Sequence, residues 1–217
     1  MNIKIQKSSF EKIKERLWKN INDRTTYFDS FLEDHIMKSN HYQVLADSNQ
    51  IGYFSIFENN LLTQFYLDND YRHISQEVFD KVKRFEYIEK AYVPTSDEFF
   101  LSHVFDYSKK IDTQAYFFKD SERAIAADKI LDGFNISLGH QEDIELIKAK
   151  SGKFFDDVEK QVEGQEIYIG YIDDTIVSFG IIEKSNLYNN VASIGMFTIP
   201  GDRQSGDNTG GYTISCT

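Results

Sequence analysis

Apolar positions along the chain change period several times, and each change marks an element. From Phe10 they recur at Ile13, Leu17, Trp18 and Ile21, the three-or-four spacing of one helix face. After Arg24-Thr-Thr the spacing resumes with Phe28, Phe31, Leu32 and Ile36, predicting two helices within residues 10–38. Residues 42–46 and 51–57 are β-rich runs around the polar stretch Asp47-Ser-Asn-Gln50, which predicts a hairpin. Residues 61–67 form a third strand. Residues 74–85 return to helical spacing through Val78, Phe79 and Val82. Ala91-Tyr-Val93 is a short strand stopped by Pro94. Residues 98–110 are helical, with Phe99, Phe100, Val104 and Phe105 apolar, and residues 113–118 read as a closing strand.

The order then restarts. Residues 134–138 predict a strand, 142–150 and 154–162 two helices, 167–172 and 176–182 a hairpin around Asp173-Asp174. Residues 191–199 predict a buried strand that runs into Pro200-Gly-Asp-Arg-Gln-Ser-Gly-Asp-Asn-Thr-Gly-Gly211. Ile51, Phe54, Ile56 and Glu58 fall on Ile176, Phe179, Ile181 and Glu183 at a shift of 125 (176 − 51). Tyr71-Arg72 falls on Asp202-Arg203 at a shift of 131 (203 − 72), with the difference in the loop 184–190. Order and residues together suggest an internal duplication, with units at 1–118 and 119–217.

Composition narrows the class. Of 217 residues, 41% are hydrophobic, and 18 Phe and 13 Tyr argue for a packed core. Net charge is −11, from 24 basic and 35 acidic residues, which disfavours nucleic acid and mildly favours cationic ligands. No run approaches the ~18 apolar residues of a membrane span, and residues 1–7 lack the apolar core of a signal peptide. Cys216 is the single cysteine, so no intrachain disulfide forms. These features predict a cytoplasmic protein that neither binds nor crosses a membrane. The histidines at 35, 41, 73, 103 and 140 show no metal-ligand spacing, so no metal is expected.

A strand feeding a polar, glycine-rich turn presents backbone N–H groups to an anion. Helices, hairpin, long strand and then this turn resemble the GNAT superfamily of acetyl-CoA-dependent N-acetyltransferases. The resemblance implies an α/β (α+β) fold: two tandem GNAT-like units with mixed, mostly antiparallel sheets flanked by helices, the second incomplete. It implies acetyl-CoA as co-substrate. The turn Arg203, Gln204, Ser205, Gly206, Asp207, Asn208, Thr209 and Gly210 would take the pyrophosphate. Asn208 stands where the family usually has Gly or Ala; read another way, Asp207-Asn-Thr209 replaces a single residue and Gly210 is the second glycine. The strand end Phe197, Thr198 and Ile199 would hold the thioester and pantetheine through its backbone, and Glu183 is the candidate base. Tyr212-Thr-Ile-Ser would open the helix behind the turn.

The corresponding turn in the first unit, Asp70-Tyr-Arg-His-Ile-Ser-Gln-Glu77, has no glycine, so no CoA is expected there. Tyr107 falls where the family often carries a tyrosine acid; without a cofactor turn it reads as packing. The expected activity is acetyl transfer to the primary amine of a small molecule or peptide, impaired in a chain that stops at Thr217. The alternative is a non-catalytic GNAT-like binding or dimerisation module. An open edge on the last strand would favour a homodimer.

Overall fold

The computed structural model of the protein describes residues 1–24, 26–85, 88–114, 116–119, 132–200 and 213–216, without the side chains of 117–119 and 213–216. The chain divides into two compact units, Met1–Asp112 and Thr113–Thr217.

The first unit is a five-stranded sheet in the order β1-β2-β3-β4-β5. Its strands are β1 (Ile3–Ser8), β2 (Asn40–Ala46), β3 (Asn49–Phe57), β4 (Leu61–Leu67) and β5 (Lys90–Ala91). The first four are antiparallel, and β5 joins β4 in parallel. Helices α1 (Phe10–Asn22) and α2 (Ser30–Lys38) lie between β1 and β2 in sequence. Helix α3 (Ser75–Val82) lies between β4 and β5, and α4 (Glu98–Phe105) follows β5. Asp29 caps α2 by accepting from Leu32 N–H, and Asp97 caps α4 by accepting from Phe100 N–H.

Both faces of this sheet are covered, which is why β3 and β4 are buried almost end to end. On one face Val78, Phe79 and Val82 of α3 and Phe100 of α4 pack on Tyr42, Val44, Phe54, Ile56 and Phe65. The opposite face meets α1 through Asn20, whose side chain bonds Tyr53 and Gln64. β1 escaped the sequence reading, although Ile3 and Ile5 alternate with Lys4 and Gln6 as a half-buried edge strand should.

The second unit is a six-stranded sheet in the order β6-β11-β10-β9-β8-β7. Its strands are β6 (Phe117–Lys119), β7 (Phe134–Leu138), β8 (Ile167–Ile172), β9 (Thr175–Lys184), β10 (Ala192–Thr198) and β11 (Thr213–Cys216). Helices α5 (Ile144–Ser151) and α6 (Val158–Glu163) lie between β7 and β8 in sequence and cover one face. There Ile147, Val158 and Val162 pack on Ile167, Ile169, Phe179 and Ile181. β7 to β10 thus repeat the order and antiparallel sense of β1 to β4, each with two helices after its first strand.

Register shows that the repeat is offset by 126 residues (170 − 44), not 125. The hairpins carry the same irregularity, between Val44 and Leu45 and between Gly170 and Tyr171. Ile51 and Val177 are the extra residues that these bulges insert. Apolar residues flank both bulges, so the sequence does not expose a slip of one. The slip matters because it moves every side chain to the other face. In the true register Tyr53 matches Phe179 and Phe54 matches Gly180.

Two further expectations change. The strand expected to close the first unit is β6, and it pairs with β11 in the second sheet. The helix expected at Tyr212 is not formed, because Thr213–Cys216 is strand β11, antiparallel to β10. β-branched Thr213 and Ile214 favour that state over a helix start. The edge of β10 expected to be open is therefore paired along Ala192–Gly195.

Candidate functional site

β4 and β5 pair only at Leu61–Lys90 and Leu62–Ala91, extended by Tyr92 N–H donating to Leu62 C=O at 3.0 Å. β4 runs on to Leu67 without β5 beside it. At the bulge where this separation begins, Thr63 is the extra residue and Gln64 follows it. Gln64 is fully buried, and its side-chain amide donates to Thr63 C=O at 2.7 Å.

Around Gln64 lies a connected polar cluster. Tyr53 donates its hydroxyl to Gln64 Oε1 at 3.2 Å, and Asn20 Nδ2 donates to both, at 3.1 and 3.2 Å. Arg24 Nη2 donates to Asn20 Oδ1 at 2.9 Å and to the Asp97 carboxylate. The two charged side chains are 3% and 4% exposed, so this is a buried ion pair. It ties the end of α1 to the residue that caps α4. Arg24 also stacks over the Phe28 ring at 4.9 Å. Its Nε and Nη1 are buried without an acceptor.

Burial pushes the Tyr53 phenol far above its ordinary range, against a smaller opposing effect of the Asn20 hydrogen bond. Tyr53 is accordingly a permanent hydrogen-bond donor and unsuited to be a base. Burial likewise raises Tyr92, to about 12. Beside the cluster, His41 bonds Ser55 Oγ through Nδ1 at 2.8 Å, and burial lowers its imidazole to about 4. None of Asn20, Arg24, Tyr53, Gln64 or Asp97 stood out in the sequence as a site residue. The available signal was polar residues on apolar stripes: Asn20 in phase with Ile13 and Leu17, and Gln64 inside Leu-Leu-Thr-Gln-Phe-Tyr-Leu.

The turn of the first unit, Asn69–Ile74, is a 3-10 helix without glycine. Asp68 precedes it, and its carboxylate is held by Arg16 Nε at 3.0 Å and Nη2 at 2.9 Å. An acid before the turn and side chains along it do not fit a pyrophosphate. Tyr107 lies beyond the end of α4. Its hydroxyl donates to Asp80 at 2.9 Å, and its ring stacks on Phe79.

In the second unit, Glu183 is on β9 opposite Ser193 of β10. The nearby Glu166 carboxyl is raised by burial and then by the Glu183 charge. Phe197 points into the core and packs on Phe154 at 5.3 Å. Thr198 is exposed opposite Ser178, and Ile199 N–H donates to Val177 C=O at 2.9 Å. Arg203, Gln204, Ser205, Gly206, Asp207, Asn208, Thr209 and Gly210 lie outside the described residues. Among the described residues no group of three or more His, Cys, Asp or Glu side chains is placed to hold a metal. No described helix is long and apolar enough to cross a membrane.

A strand, two helices, three antiparallel strands and a helix, followed by a parallel strand that soon parts from its neighbour, define an acetyltransferase-type α/β unit. The family model described as "Acetyltransferase (GNAT) domain" matches residues 9–121, and the chain belongs to the GNAT acetyltransferase family. Among solved structures, the chain is similar to an acetyltransferase of the GNAT family from Colwellia psychrerythraea. The identity is 15% and the TM-score 0.70, covering 100% of this chain and 89% of that one. It is also similar to a GCN5-related glucosamine N-acetyltransferase region in a fungal multi-domain GH3 β-N-acetylglucosaminidase. There the identity is 11% and the TM-score 0.52, covering 87% of this chain and 28% of that one. At these identities the likeness is one of fold. No curated protein sequence matches the chain.

Proposed function

We propose that the protein is an N-acetyltransferase that moves an acetyl group from acetyl-CoA to a primary amine of a small molecule or peptide, in the cytoplasm. The observation that carries this reading is the GNAT family match over residues 9–121, joined to the separation of β4 from β5 after Leu62 and Ala91. The reading is of two tandem GNAT-like units, and it assigns the cofactor turn to the second. The first unit's turn lacks glycine and follows an acid already paired with Arg16. Arg203 to Gly210 follow β10 and offer glycines and a cation for the pyrophosphate. Glu183 is the candidate base, and its neighbour Glu166 adds negative charge that favours an ammonium nucleophile.

Thioester aminolysis asks the protein mainly to orient the two reactants and to accept one proton. The test is CoA-thiol release from acetyl-CoA with a panel of polyamines, aminoglycosides and peptides with free N-termini. Release above background, lowered at least tenfold by Arg203→Glu with Gly206→Val and by Glu183→Gln, supports the reading. Release unchanged by either set refutes the residue assignment. No release with any amine favours the second reading, a non-catalytic GNAT-like binding module. The polar side chains that fill the first unit beside its parted strands are the observation on that side.

A further inference from the structure

A sheet edge offers a row of unpaired N–H and C=O groups, and proteins guard such edges with charge, proline or bulges. The two sheets end in β1, β5, β6 and β7. β1 carries Lys4 and Lys7, β5 carries Lys90, and β6 ends on Lys119. β7, Phe134-Asn-Ile-Ser-Leu138, carries neither charge nor proline. Its ladder to β8 is regular over all five residues, and no bulge turns it away. Among the described residues no strand pairs with its other side.

The strand is self-complementary. Phe134, Ile136 and Leu138 share one face, and Asn135 and Ser137 share the other. Phe134 lies inward over Gly170, where an added Cβ would come within 3.2 Å of the ring. Ile136 is 61% exposed, and Asn135 and Ser137 are exposed beside it. Two copies paired antiparallel about an axis through Ile136 place Ile136 against Ile136. Phe134 then meets Leu138 of the other copy, and Asn135 meets Ser137. Each apolar residue faces an apolar one and each polar residue a polar one, with no charge in the seam. A slip by one residue would set apolar against polar along the whole strand.

We propose that β7 is a self-association edge, through which two copies of this chain join their second sheets into one continuous antiparallel sheet. Five-residue strands bury less than the ~1,200 Å² of a standard stable interface, so the dimer is weak and appears only at high concentration. The pairing is isologous, so it closes at two and does not propagate along this edge.

The experiment uses the full chain in two arms. Sedimentation equilibrium is run from micromolar to several hundred micromolar. The expected result is a monomer–dimer equilibrium weakened at least tenfold by Ile136→Lys, which sets two like charges face to face at the axis. Because Ile136 is exposed, this variant keeps its fold, and circular dichroism verifies that. In a Cys216→Ser background, Ile136→Cys is expected to form a disulfide-linked dimer with oxidised glutathione. Opposed residues of an antiparallel pair have Cα atoms ~4.5–5.5 Å apart, within disulfide range. Ser137→Cys is the control. It lies off the axis, and its two copies are beyond the ~7 Å limit. A chain that stays monomeric throughout, a dimer indifferent to Ile136→Lys, or equal linking by the two cysteine variants would overturn the proposal.

Discussion

Asp97→Ala should be among the most damaging substitutions in the first unit, because one carboxylate does two jobs. One oxygen caps α4 through Phe100 N–H at 3.0 Å, and the other neutralises Arg24. Losing a helix cap costs about 1 kcal/mol. Removing one partner of a buried ion pair costs about 3–5 kcal/mol, because the remaining charge keeps its desolvation penalty. Arg24 is poorly placed to recover any of this. Its Nε and Nη1 already lack acceptors, and Asn20 would be its remaining polar contact among the described side chains. The sum, roughly 4–6 kcal/mol, rivals the total stability of ordinary domains, about 5–15 kcal/mol. The double variant Arg24→Met with Asp97→Asn removes both charges and keeps an acceptor for Phe100 N–H, so it should regain at least half of the loss. Urea unfolding followed by the fluorescence of Trp18, the single tryptophan and a residue of α1, reports on this unit. With m near 1–3 kcal/mol per molar, the single variant should lower the midpoint by about 1.3 M or more. A loss below about 1.5 kcal/mol for Asp97→Ala, or a double variant no better than the single one, would refute the reasoning.

Other expectations are more local. His41 is held near 4 in the folded chain against about 6.5 unfolded, so between those values the unfolded state binds more protons. Its contribution, at most about 3 kcal/mol, is fully present above pH 6.5 and is lost as pH falls toward 4. His41→Gln should flatten the stability profile in that window, read by urea midpoints at half-unit pH steps. Gly52→Ala should cost about 1–3 kcal/mol, because a Cβ there would sit 2.3 Å from Tyr66 C=O, a backbone atom that cannot swing away. Tyr107→Phe should change stability by less than about 0.5 kcal/mol, because the ring contact with Phe79 survives and the lost bond to Asp80 is exposed.

Period carried most of the fold. The hairpins and β4 were legible because apolar runs ended at polar turns, and the positive φ of Asp47, Ser48 and Asp173 shows those turns to be real. Helix ends were less legible. α4 stops at Phe105 and not at Lys110, and the polar run Asp106 to Lys110 holds only Tyr107 as a marker of phase, so little in the pattern marks the end. β1 and β11 were missed because both are short and gain their state from a neighbour strand rather than from their own residues. The buried polar cluster was illegible for a different reason. Its members come from α1, the residue after its C-cap, β3, β4 and the cap of α4, and no spacing links residues brought together only by the fold. Sequence drew attention to the glycine-rich turn instead, because the ingredients of a backbone anion site are contiguous.

At the offset of 126 residues the two sheets differ in how one face is covered. Phe54 pairs with Phe65 in the first, and both are fully buried under α3 and α4. The matching pair in the second is Gly180 with Met196, and Met196 is 50% exposed. Ile56, fully buried, matches Ile182 at 37% exposed. Positions that hold large buried side chains in the first sheet are thus glycine, or lie open, in the second. Aromatic residues there would be selected to pack against helices, whereas glycine at Gly180 leaves the backbone approachable. The first unit packs that face under α3 and α4 and buries a polar cluster on the opposite face. The second packs one face through Phe179 and Ile181, and among the described residues Met196 and Ile182 lie open on the other. The proposed acyl carrier would need approachable backbone and a nearby turn, and among the described residues the second sheet joins an open face to a strand that leads into glycines in the sequence. This asymmetry makes the second unit the better first target for an activity assay, although Glu183 lies by strand alternation on the packed face with Phe179 and Ile181.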